Sequence, residues 1–160
     1  MRVLIGVAEQ EGAELLSELD RLIPLRGNEL VLAHVIDTGV RGEIGLERTR
    51  HLSRPMPRWR LRQVGEAEQE AAAEALDEAR AVVERLGASA SSEIGEGEPG
   101  RILSSLAGER GCALVVVASR LHREDGPGPG PRSVGHTARF VLDHSPCPVL
   151  LIRGEAVSGS

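Results

Sequence analysis

The feature that most constrains the fold is a set of short, uninterrupted apolar runs: VLIGV (Val3 to Val7), LVLAHVI (Leu30 to Ile36), LVVVA (Leu114 to Ala118) and VLLI (Val149 to Ile152). Runs of this length, rich in β-branched residues, suit strands covered on both faces, because a strand with one wet face would alternate apolar and polar side chains. Between the first two runs, Leu15, Leu16, Leu19, Leu22 and Ile23 fall on one helical stripe within Glu11 to Ile23, and Pro24 ends it. The first 37 residues therefore form a βαβ unit, with parallel strands and a right-handed crossover.

The alternation continues to the end of the chain. Val64, Ala67, Ala71, Ala75, Ala79, Val82 and Leu86 recur at helical spacing, and Gly87 supplies the stop. Glu66, Glu70, Glu74, Asp77 and Glu78 lie mostly off that stripe and are expected in solvent, with no chemistry to perform. Ala88 to Ile94, poor in large apolar residues, suits an edge strand. A helix follows with Pro99 near its first turn, a stripe of Ile102, Leu103 and Leu106, and Gly111 past its end. The last helix spans about Val134 to His144. The sum is a single-domain, three-layer α/β sandwich over residues 1–153: a five-stranded parallel sheet with helices on both faces. Residues 154–160 are expected as a disordered tail.

The pattern fails from residue 38 to residue 63. Glycines stand at 39, 42 and 45, prolines at 55 and 57, and arginines at 41, 48, 50, 54, 58, 60 and 62, against only Glu43 and Glu47. This long basic connection reads as a solvated loop. The sharper reading is a lid whose arginines reach an anionic ligand, with Trp59 anchoring it or tucked into the core.

Composition narrows the function. A formal charge of −5, a pI near 5.6 and two aromatic residues from the Phe, Trp and Tyr set argue against nucleic acid, which needs a basic field and stacking platforms. No stretch reaches the 18 or so apolar residues of a membrane span, and the start MRVLIGVAEQ lacks the core of a signal peptide. The expectation is a soluble, cytoplasmic protein. Cys112 and Cys147 each lead into an apolar run and read as reduced core thiols. His34, inside the second run, reads as a satisfied core histidine, and His144 as a residue at a helix end. No H-E-x-x-H or G-x-S-x-G pattern occurs, and a P-loop is impossible because every basic residue is Arg.

In an open α/β sheet, ligands bind outside the carboxyl ends of the strands, beside a helix N-terminus. Here that is the loop leaving the fourth strand. Ser119, Arg120, His122, Arg123, Arg132, Ser133, His136 and Thr137 could build an anion site there. The other reading makes the loop a mere link, since Pro127, Pro129 and Pro131 alternate with glycines and favour an extended segment. His136 reads as a surface residue on the first helical turn.

Five stretches together resemble the universal stress proteins over essentially the whole chain. They are VLIGV, AHVID (Ala33 to Asp37), Gly97-Glu98-Pro99, LVVVASR and VLDHSPCPVLLIR (Val141 to Arg153). The resemblance implies an adenine nucleotide alpha hydrolase-like fold with strand order 3-2-1-4-5, and a homodimer joined through Val149, Leu150, Leu151 and Ile152. It places ligand contacts at Val7, Ala8, Val35, Ala118, Ser119, Arg120, Gly135, His136 and Thr137. The ATP-binding branch carries Gly-x2-Gly-x9-Gly-Ser/Thr after the fourth strand. The matching positions here are Ala118, Leu121, Gly135 and His136, and thirteen residues separate Leu121 from Gly135. Ala8 stands where many members have an acidic residue, and Gly111-Cys112-Ala113-Leu114 replaces the usual Gly-Ala-Asp-Leu.

These departures imply a regulatory or ligand-sensing binding module that is not an enzyme, has no resident cofactor and does not take ATP in the family's usual mode. The alternative is a variant nucleotide site that holds ATP or AMP with Mg²⁺ and hydrolyses weakly. A third reading is a structural partner of another protein, through the basic connection or the last strand.

Overall fold

The continuous apolar runs form strands covered on both sides. The computed structural model describes residues 1–38, 58–119 and 134–153. In chain order the elements are β1 (Arg2–Gly6), α1 (Gly12–Leu22), β2 (Glu29–Asp37), α2 (Arg58–Arg85), β3 (Ala90–Gly97), α3 (Pro99–Glu109), β4 (Leu114–Ser119), α4 (His136–His144) and β5 (Val149–Arg153). The strands make one five-stranded sheet in the order β3-β2-β1-β4-β5, with every pairing parallel. Ile5 of β1 pairs with Leu32 of β2 on one side and with Val116 of β4 on the other, which makes β1 the central strand.

Strand alternation divides the core into two layers. Val3, Ile5, Leu30, Leu32 and Val116 face Leu15, Leu16 and Leu19 of α1 and Leu76, Ala79 and Val83 of α2. Leu4, Val31, Ala33, Val115 and Val117 face Leu103 and Ala107 of α3 and Ala138 and Val141 of α4. At about 25 cal/mol per Å² of apolar surface removed from water, each fully buried Leu or Val contributes roughly 1.5–3 kcal/mol. The two layers thus hold the sheet rigid and leave its carboxyl end to carry a site.

Three element boundaries differ from the sequence expectation. α2 starts at Arg58, so Arg58, Trp59, Arg60 and Arg62 belong to its first turns and not to the connection. Pro57 precedes this start in sequence, and a proline can stand before a helix although it cannot lie inside one. Along α2 the buried face is Ala72, Ala75, Leu76, Ala79, Val82 and Val83, while Ala67 is exposed. Tertiary packing selects the larger Leu76 and Val83 over Ala67 and Ala71. α4 begins at His136 because Gly135 ahead of it takes φ +89° and ψ 163°, outside helical space. β3 occupies the sheet edge, as expected, although it runs to Gly97. The rest of the basic connection, the segment 120–133 and residues 154–160 lie outside the described residues.

Candidate functional site

Strand order reverses at β1: the chain moves outward through β2 and β3, then returns to place β4 on the other side of β1. At such a reversal the connections of two neighbouring parallel strands run to opposite faces of an open sheet, and ligands of such folds bind in the crevice outside the strands' carboxyl ends. Here β1 ends at Gly6, just before Val7 and Ala8, β4 ends at Ala118 and Ser119, and α4 begins at His136.

The exit from β1 is pinned. Val7 N donates to Ala33 O (2.8 Å), and the Val7 side chain is buried, which turns Ala8 out as an exposed residue. His34, 8% exposed, donates from Nδ1 to Val7 O at 2.8 Å. A carbonyl can only accept, so this contact fixes the tautomer with hydrogen on Nδ1. His34 is thus the satisfied core histidine expected, and its partner ties β2 to the crevice wall. Beyond Ala8, Gln10 takes φ +63°, a left-handed conformation uncommon for a residue with a side chain. The exit turn is held tightly enough to tolerate it.

The opposite wall depends on Gly135. Its φ of +89° with ψ 163° is accessible to glycine almost alone, and it lets the chain enter α4 with no side-chain cap on the first amides. The glycine surviving at this motif position is the one the backbone requires. His136 is exposed, and Thr137 is half-buried. Across from them stands Glu98, at the N-cap of α3. Glu98 Oε1 lies 3.6 Å from His136 Nε2, while Glu98 Oε2 lies 3.8 Å from Arg101 Nε. Oε1 is shut off from solvent and accepts no hydrogen bond among the described residues. A carboxylate therefore lies beside the helix terminus where a phosphate would be expected to settle.

The remaining candidates fall as follows. Ser119 is buried, and its hydroxyl turns inward to Ile152 O of β5 at 3.5 Å, away from a ligand role. Ala118 is half-buried at the crevice. Val35 packs with the α3 and α4 layer, near the carboxyl end of β2. Arg120, Leu121, His122, Arg123, Arg132 and Ser133 lie outside the described residues. The structure thus brings Val7, Ala8, Ala118, Gly135, His136 and Thr137 to one end of the sheet. Sequence reasoning missed Glu98 as a site residue, although Gly97-Glu98-Pro99 had been singled out; nothing in the sequence tells that residue 98 meets residue 136.

Away from the crevice, an open groove of about 530 Å³ runs between α3 and α4, lined by Arg101, Ser104, Ser105, Gly108, Phe140, His144 and Pro146. The Arg101 guanidinium carbon stands 5.6 Å from the centroid of the Phe140 ring, and the His144 ring 4.3 Å from it. Among the described residues no group of His, Cys, Asp and Glu is placed to hold a metal ion, and no helix is long and apolar enough to cross a membrane.

Solved structures share this architecture over nearly their whole length. Universal stress protein UspA from Lactobacillus plantarum is 20% identical, with 96% of this chain and 97% of that chain covered and a TM-score of 0.67. A universal stress protein family protein from Arabidopsis thaliana with AMP bound is 15% identical, covering 98% and 93%, with a TM-score of 0.64. The universal stress protein from Archaeoglobus fulgidus in complex with dAMP is 19% identical, covering 95% and 97%, with a TM-score of 0.61. At these identities the likeness establishes the fold. No curated protein sequence matches the chain. The model of the Universal stress protein family matches residues 1–153, and with the sheet order and the crevice at the β1–β4 reversal it places this chain in that family.

Proposed function

We propose that this protein is a ligand-sensing regulatory module whose crevice takes an adenine nucleotide of the monophosphate class and does not turn over ATP. The observation that carries the reading is the pairing of a preserved helix entry at Gly135 with the Glu98 carboxylate beside His136. The open first turn of α4 offers amides to one phosphate, while the nearby carboxylate and the alanines at 8 and 118 discourage a longer polyphosphate chain. Two proteins of the same fold carry AMP and dAMP in their solved structures, which supports the same ligand class here.

The module acts as a homodimer in this reading. β5 ends the sheet, and its Val149, Leu150 and Leu151 are only partly buried although Ile152 is 3% exposed. An apolar edge with unpaired backbone groups is an aggregation hazard unless a second copy covers it. A cytoplasmic location fits a protein of this kind.

Isothermal titration of the purified chain with AMP, and separately with ATP and Mg²⁺, tests the reading. AMP is expected to bind more tightly than ATP, with no ADP formed on prolonged incubation. Release of ADP would favour the weak phosphohydrolase, and silence with both ligands would remove nucleotides from consideration.

A further inference from the structure

The groove between α3 and α4 owes its space to how the two helices meet. At Gly100 they touch, since a β-carbon built there would lie 2.6 Å from Phe140 Cβ. At Gly108 they do not: the nearest neighbour of such an atom would be Pro146 Cγ, just past α4, at an ordinary 3.6 Å. The groove holds about 530 Å³ and runs from Arg101 and Phe140 to Gly108 and Pro146, a span of about 10 Å along α3 at about 1.5 Å per residue. That volume lies within the roughly 300–1,000 Å³ of small-molecule sites, and the length suits two fused rings.

Arg101 brings a cation with hydrogen bonds left to give. Its guanidinium carbon stands 5.6 Å from the Phe140 centroid, and its approach to a carboxylate, Nε to Glu98 Oε2, is 3.8 Å, longer than a hydrogen bond. The side chain is 72% exposed, and its terminal nitrogens make no hydrogen bond among the described residues. A planar fork of this kind takes a carboxylate through two parallel bonds. One cation with Glu98 beside it matches a monoanion, because the second charge of a phosphate would have no partner here and would be repelled by Glu98.

The rest of the lining suits a flat ring. Phe140 and His144, four residues apart on α4, present rings 4.3 Å between centroids at a tilt of 41°, and Pro146 continues the apolar surface. Aromatic surfaces so placed favour offset or edge-to-face contact with another ring. Ser104 lines the same groove, and its Oγ is shut off from solvent without a hydrogen bond among the described residues. Leaving a hydroxyl in that state is costly, and a ligand oxygen brought into the groove would give it a partner.

We infer that this groove binds a small aromatic monocarboxylate, with the carboxylate on Arg101 and the rings laid along Phe140 towards Pro146. The site is separate from the crevice and does not depend on which ligand the crevice takes.

The test titrates the whole chain with naphthoate, and in parallel with naphthalenemethanol, which keeps the rings and lacks the charge, while backbone amide NMR maps the contacts. Naphthoate is expected to saturate one site, with shifts concentrated from Arg101 to Gly108 and from Phe140 to Cys147. The alcohol is expected to bind about 10-fold more weakly or less well still. Arg101→Gln should lower naphthoate affinity by a similar factor and make acid and alcohol bind alike, a readout that a general loosening of the helices would not produce. Gly108→Leu fills the groove from α3 with a better helix former than glycine, so it should abolish binding in a folded chain. Binding that never saturates, equal affinity for acid and alcohol, tighter binding of naphthyl phosphate than of naphthoate, or shifts confined to Val7, Ala8 and His136 would each overturn the inference. Should either variant fail to fold, the comparison of acid with alcohol and the shift map on the unaltered chain still decide it.

Discussion

The close crossing of α3 and α4 positions the helix terminus at the crevice, and one substitution tests it. Gly100, the second residue of α3, is buried against α4. A β-carbon built there would lie 2.6 Å from Phe140 Cβ, 2.9 Å from Cγ and 3.0 Å from Cδ1. Carbon atoms in good contact are about 3.5–4.0 Å apart, so Gly100→Ala requires the helices to separate by about 1 Å. Phe140 cannot simply swing aside, because the nearest atom is its Cβ, fixed to the α4 backbone, and its ring packs at a tilt of 41° against the His144 ring. Overpacking of this kind costs about 1–3 kcal/mol, against a gain of up to about 1 kcal/mol for replacing glycine in a helix, less in a first turn. The net loss of about 1–2 kcal/mol lowers the midpoint by about 2–8 °C in a chain of this size. Gly108→Ala, in the same helix, is the control: its β-carbon would meet only Pro146 Cγ, at an ordinary 3.6 Å. That change is expected to be neutral or to stabilise by up to about 1 kcal/mol. Calorimetric melts of both variants read the difference, and AMP titration reads the displacement of α4. If the two alanines behaved alike, and AMP affinity were unchanged in Gly100→Ala, the reasoning from the helix crossing would be refuted.

Other expectations follow from single contacts. His34→Phe keeps the ring but leaves Val7 O without its donor, a loss of about 1–3 kcal/mol by denaturant titration; an unchanged midpoint would mean that the bond adds nothing to the wall. Glu98→Gln removes the carboxylate beside α4 and should tighten AMP binding about 2–5-fold at low salt, an effect that salt should erase. Because the folded chain holds the Cys112 proton to a higher pH than the unfolded chain does, its contribution is complete below about pH 8.5 and declines as pH rises through the folded value. Cys112→Ala should flatten that alkaline fall in stability; an identical fall in the variant would assign it to other groups.

Much of the fold is legible in the sequence, because burial on both faces leaves a direct mark: Val3 to Ile5 and Val115 to Val117 cannot be anything but covered strands. Pro99 and Gly111 bracket α3 in the same transparent way. α2 is less legible at its start, where Arg58 to Gln63 carry the same charge as the loop before them and only Pro57 hints at the boundary. The site is legible in outline, since the carboxyl ends of β1 and β4 stand side by side where the strand order reverses. Its chemistry is not, because it depends on contacts distant in sequence. Ser119 looks like a ligand residue until β5 is in place, whereupon its hydroxyl turns to Ile152 O. Glu98 looks like a simple cap residue until α4 brings His136 to it. Periodicity reports which face of an element is covered, and by itself says nothing of which two faces meet.

Hydrogen exchange read by mass spectrometry, with and without saturating AMP, tests the central claim most directly. The account predicts slower exchange in the peptides containing Val7 and Ala8, Ala118 and Ser119, and Gly135 to Thr137, with the Arg101 to Gly108 stretch of the outer groove unchanged. Binding that protects the outer groove, and leaves the ends of β1 and β4 and the start of α4 untouched, would contradict it.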